Sequence, residues 1–141
     1  MTTSFQADLR RFAEATKRNL NDTVRAVVLE LGTRIVQRSP VDTGRFRGNW
    51  QIAAGGPDIR TNEPFDKQAL GSAPSATTFD RWKGEVNAAT IGSTFYITNS
   101  LPYARKLEYE GWSQQAPSGM VRVTVTEYEQ IIRQAIAKAK K

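Results

Sequence analysis

The strongest constraint on this chain is an apolar stripe in its first third. Val24, Val27, Val28, Leu31 and Ile35 fall at i, i+3, i+4, i+7 and i+11, the spacing of one face of an α-helix. Pro40 predicts the stop, because a residue ahead of proline is pushed out of helical conformation. Arg34 and Arg38 sit where the helix dipole favours cations. Upstream, Phe5, Leu9, Phe12, Ala13 and Thr16 predict a helix over about 5–18 with Ser4 as its N-cap. The polar cluster Asn19-Leu20-Asn21-Asp22 predicts a kink, a break or a fresh cap between the two.

A helix with such a face must be covered, and the rest of the chain offers little sheet to cover it. Phe46, Gly48, Trp50 and Ile52 alternate with polar residues and predict a half-buried strand over 46–53, closed by Gly55-Gly56-Pro57. Residues 55–77 hold no sustained period and read as one long loop, a candidate inter-subunit arm. Phe79, Trp82, Val86 and Ala89 keep helical spacing, with Thr77 or Thr78 as cap and Gly92 as stop. Thr94–Asn99, β-branched and aromatic, predicts the second strand, and Pro102 opens a helical turn through Tyr109 that Gly111 ends. Val121, Val123 and Val125 alternate like a strand, yet Val121, Val125, Tyr128, Ile132 and Ile136 form a helical stripe, so one helix over 118–139 is expected. The expected architecture is one α+β domain over residues 1–141: long N-terminal helices and a C-terminal helix on a small antiparallel sheet. So small a sheet is marginal alone and would be completed in an oligomer. A mean hydropathy of −0.51 points the same way.

Composition removes most catalytic chemistry. With no Cys and no His, thiol nucleophiles, Cys-based metal sites and His-based acid–base machinery are excluded, and no metal or cofactor is expected. Asp42-Thr43-Gly44 matches the turn of aspartic proteases, where two such carboxylates share a proton across a dimer. Here, however, it follows a helix and a proline, and bulky Arg45-Phe46-Arg47 succeeds it. A tight turn, with Asp42 bonded forward to the backbone and Gly44 at positive φ, is the expected reading. Glu108/Glu110 and Glu127/Glu129 are i, i+2 pairs that diverge on a helix and cannot converge on a metal. The chain opens without a basic, apolar leader, and no stretch approaches the roughly 18 apolar residues of a membrane span. It is expected to be intracellular and soluble where it is made.

Charge is unevenly placed. Residues 1–48 hold nine Lys/Arg against five Asp/Glu (+4), residues 49–117 six against seven (−1), and residues 118–141 five against two (+3). Lys138, Lys140 and Lys141 form a basic end that could face passing DNA or an acidic surface, and a basic nucleic-acid-binding module is the alternative reading. Two segments resist a purely local explanation. One is Ser39-Pro-Val-Asp-Thr-Gly-Arg-Phe-Arg-Gly-Asn-Trp50. The other runs from Tyr96 to Pro117 and gathers Tyr96, Tyr103, Tyr109 and Trp112 near one strand-to-helix turn. Aromatics beside arginines are what the centre of a protein–protein contact uses, so Arg47, Trp50, Tyr103, Arg105, Tyr109 and Trp112 are the candidate interface residues.

These two segments, S-P-V-D-T-G-R-F-R-G-N-W and Y-I-T-N-S-L-P-Y-A-R-K-L-E-Y followed by G-W-S-Q-Q-A-P-S-G-M-V-R, carry a resemblance. Over residues 20–135 the chain resembles the tail-completion or head–tail joining (neck) proteins of lambda-like, long-tailed bacteriophages and prophages. Glu110 stands where a second glycine of the E-Y-G-G-W type is more usual, and the 55–80 stretch is a long insertion. The resemblance implies a virion structural protein without enzymatic activity, made in the host bacterial cytoplasm and placed at the head–tail junction. It also implies a self-associated ring, a hexamer, whose partners are the tail tube protein and the head connector or head-closure protein.

Overall fold

The computed structural model describes residues 2–90 and 92–139. Helix α1 (Thr2–Gln37) runs 36 residues and passes through Asn19–Asp22 without the expected break. Asn and Asp cost only up to about 0.7 kcal/mol each inside a helix, a penalty that flanking helix formers absorb, and Asp22 lies 3.9 Å from Arg25 one turn on. The helix ends as predicted before Pro40. Ser39 turns its hydroxyl back to donate to the Ile35 carbonyl (2.7 Å).

The strand expected over 46–53 is the main correction. Arg45–Gly48 forms a short helical turn, α2, and only Gln51–Ala54 is strand β1. Phe46 and Trp50 explain the misreading: residues four apart satisfy both an alternating and a helical period. They meet edge-to-face with ring centroids 5.6 Å apart. Every residue from Phe46 to Ile52 is buried, including Arg47, Asn49 and Gln51, which the alternation placed in solvent. Strand β1 pairs antiparallel with β2 (Phe95–Thr98), in the register Gln51↔Thr98 to Ala54↔Phe95.

Helix α3 (Ala76–Ala88) packs on β1, capped by Ser75 rather than Thr77 or Thr78. Trp82 on α3 donates its indole N–H to the Trp50 carbonyl (2.9 Å). Val28, Ile35 and Val36 of α1 join Phe46, Trp50, Ile52, Trp82, Val86, Leu101 and Met120 in one core. After β2 come α4 (Ala104–Tyr109), α5 (Val121–Val125) and α6 (Tyr128–Ala139), which lies along α1. The small antiparallel sheet among helices is the α+β class expected.

The single helix expected over 118–139 is in fact two. Thr124 and Thr126 bond their hydroxyls back to the carbonyls of Met120 (2.8 Å) and Val123 (2.6 Å), a competition with the helical ladder that bends or breaks it. The amides of Thr126 and Glu127 reach only three residues back, to Val123 and Thr124. Glu127, at the joint, is gripped by Arg38 (2.7 Å) and Arg34 (3.2 Å) from α1. Arg38, and secondarily Arg34, hold its carboxyl below the usual glutamate range by hydrogen bonding to the ionised form.

Candidate interaction surface

The Ser39–Trp50 segment is a framework. Gly44 has φ +87°, and a Cβ there would lie 2.4 Å from the backbone of Asp66 and Lys67; one on Gly48 would lie 2.1 Å from the Pro64 carbonyl oxygen. Two missing side chains thus let the 64–67 stretch lie directly on the turn, where the Asp66 amide donates to the Gly44 carbonyl (2.9 Å). In the turn itself it is Thr43, not Asp42, whose side chain accepts from the backbone, from the Arg45 amide (3.2 Å). Arg47 and Asp66 are fully buried and face each other at 3.5 Å. Arg47 also donates to the Ala73 carbonyl (2.8 Å), while Asp66 accepts from the Ser75 amide and the Thr78 hydroxyl, both at 2.9 Å. Burial pulls the Arg47 guanidinium below its ordinary pKa, and the Asp66 charge opposes that shift. Trp50 donates to the Ser39 hydroxyl (2.9 Å). Arg47 and Trp50 therefore leave the expected contact set: both side chains are spent inside the chain.

The second segment splits between inside and outside. Asn99 donates to the Phe46 carbonyl (2.9 Å), and the Tyr103 ring lies 6.0 Å from Phe46, half-buried. Leu107 packs on the core, and Glu108 turns in to accept from the Met120 amide (2.9 Å) and the Val121 amide (2.5 Å) at the start of α5. Gly119, at φ +88°, makes room for that carboxylate: a Cβ there would sit 1.9 Å from Glu108 Oε2. Arg122 donates to the Glu108 carbonyl, so one buried acid fixes α5 against α4.

With those side chains turned in, α4 presents the others outward. Tyr109 is 59% and Trp112 61% exposed. The Arg105 and Arg122 guanidinium carbons lie 5.5 and 5.0 Å from the centroid of the Tyr109 ring, and the Lys106 ammonium lies 4.2 Å from that of Trp112. Beyond Trp112, Gln115 clamps Val41 by accepting from its amide (2.8 Å) and donating to its carbonyl (3.2 Å), which ties this loop to the framework turn. Arg105 and Tyr109 stand four apart on one helix, a pairing visible in the sequence. Lys106 and Arg122, which complete the patch, were not singled out there, because Arg122 arrives only through the Glu108 contact.

A second exposed surface is apolar. The α5–α6 joint splits the expected stripe: Val121 packs on the core and Ile132 is half-buried, whereas Val125, Tyr128 and Ile136 are 59%, 49% and 41% exposed, and Ile131 is the buried residue of α6. Lys138 is exposed in the last turn of α6, while Lys140 and Lys141 lie outside the described residues. Asp42 is exposed at a shallow 260 Å³ groove lined also by Phe46, Tyr103 and Gln115, and it is the sole carboxylate on that lining. No group of His, Cys, Asp or Glu among the described residues is placed to hold a metal ion. No helix among them is long and apolar enough to cross a membrane. No family model, curated protein or solved structure matches the chain.

Proposed function

We propose that this chain is a structural subunit of a bacteriophage head–tail junction, one copy in a ring that caps the tail tube or joins it to the head connector. The observation that carries the reading is that Val125, Tyr128 and Ile136, on the consecutive helices α5 and α6, are left 41–59% exposed. The exposed part of an apolar side chain gains nothing from folding alone. Its apolar area is worth about 25 cal/mol per Å² only when another surface covers it. In this reading a neighbouring copy covers the stripe, and the Tyr109–Trp112 patch meets the next component of the virion along the axis. The resemblance carried by the Ser39–Trp50 and Tyr96–Arg122 segments supplies the phage context.

Mass photometry of the purified chain, alone and with tail tubes, tests the ring. A closed oligomer in either condition is expected, and a monomer in both contradicts the reading. Electron microscopy of particles assembled with Trp112→Ala tests the joining face: separate filled heads and tails are expected, and joined particles at the wild-type frequency would count against it.

A further inference from the structure

Resting on the joining reading, the chemistry of the exposed patch identifies the kind of partner that fits it. Three cations, Arg105, Lys106 and Arg122, surround two exposed rings. Between Tyr103 and Arg122 there are two carboxylates, Glu108 and Glu110. Glu108 is buried, accepts from the amides that open α5 and pairs with Arg122 (3.6 Å), so among the described residues Arg105 and Lys106 are the cations left to a partner, with exposed Glu110 the acid nearest them in sequence. Cations parked over aromatic rings are held in place before any partner arrives, which reduces the side-chain ordering that binding would otherwise cost. The surface is anion-seeking and pre-organised.

A nucleic acid would also supply anions, but single strands bind by stacking bases on open aromatic faces. Here cations already lie over both rings. The apolar stripe on α5–α6 suits an apolar neighbour; this patch, with charges around its rings, does not. We infer that the Arg105–Lys106–Tyr109–Trp112–Arg122 surface docks an acidic segment of a partner protein. Glu and Asp carboxylates of that segment pair with Arg105 and Lys106, and its backbone and aliphatic stems lie along the ring edges, beside the Arg122 that Glu108 holds in place.

The full-length chain is titrated with a fluorescently labelled ten-residue oligo-glutamate and, separately, with a ten-nucleotide oligo-dT, both read by anisotropy. Two double variants remove equal charge: Arg105→Gln with Lys106→Gln in the patch, and Lys67→Gln with Arg133→Gln at exposed sites elsewhere. The inference expects the patch pair to weaken oligo-glutamate binding at least tenfold and the distant pair less than twofold. Equal losses from both pairs would reduce the effect to overall charge and overturn it. Tighter binding of oligo-dT, lost in Trp112→Ala, would overturn it in favour of a nucleic-acid platform. Head–tail joining by the patch variant separates this inference from the reading beneath it. Joining lost while oligo-glutamate binding is intact sinks the acidic partner and keeps the junction role. Binding lost while joining is intact keeps the acidic-segment site and removes it from the junction.

Discussion

The stretches 39–50 and 103–122 are built from the same materials, aromatic rings, arginines, a buried acid's contacts and glycines at positive φ, and they point in opposite directions. In the first, Arg47 is sealed against Asp66 and Trp50 donates to Ser39; nothing but Asp42, Thr43 and Arg45 is left well exposed. In the second, Glu108 and Leu107 turn in, and Arg105, Tyr109, Trp112 and Arg122 turn out. The difference lies in what each arginine finds. Arg47 meets a fixed carboxylate in the dry interior, whereas Arg105 lies over a ring face at the surface, and Arg122 divides itself between the Glu108 carboxylate (3.6 Å) and the Tyr109 ring. A ring beside an arginine stays outside when the arginine is not drawn wholly into the interior by a buried carboxylate of the same chain, as Arg47 is by Asp66.

The sharpest way to break the contrast is to cut the sealed pair. Asp66→Ala leaves the Arg47 charge buried and unpaired, and should cost about 3–5 kcal/mol in equilibrium urea unfolding. A loss under about 1 kcal/mol would show that the pair is not sealed. Gly44→Ala should cost less, about 1–3 kcal/mol, because it combines a strained positive φ with a clash against the 66–67 backbone; thermal melting checks it.

Smaller again is the pH-dependent contribution of Glu127. Its native pKa is depressed, so its stabilisation is fully present above the unfolded-chain value of about 4.3 and is lost as pH falls through the lower native value. The carboxylate is partly exposed, so the contribution should not exceed about 1 kcal/mol. Glu127→Gln should lower stability at pH 7 by that amount and converge with wild type at low pH; a gap that persists into acid would contradict the assignment. Smallest of all, Tyr128→Ser on the exposed stripe should change monomer stability by no more than about 0.5 kcal/mol while weakening ring assembly. Mass photometry beside a melting curve separates the two effects.

Local periodicity made the second half of α1, its stop at Pro40, helix α3, strand β2 and the turn at Gly44 legible. It failed where a distant partner decides. Nothing within a few residues of Arg47 announces Asp66, 19 positions on, and nothing near Glu108 announces the Met120 amide, 12 positions on. The C-terminal stripe was legible as a helical face, but not that Val125, Tyr128 and Ile136 of it stand exposed. Its orientation follows from the joint at Thr126–Glu127, where two threonine back-bonds and two α1 arginines act together. Arg47 and Trp50 were drawn into the candidate interface because composition does not distinguish a ring that completes a core from one that awaits a partner.

That distinction can be measured on two tryptophans. Trp50 is buried and bonded to Ser39, whereas Trp112 touches Lys106 from the surface. Equilibrium urea unfolding of Trp50→Ala and Trp112→Ala, run side by side against wild type, places each ring. Trp50→Ala should lose about 3–5 kcal/mol, the cost of an emptied core position. Trp112→Ala should lose about 0.5 kcal/mol, that of one exposed cation–π contact. Comparable losses from the two variants would contradict the division of the chain into an inward framework and an outward contact face.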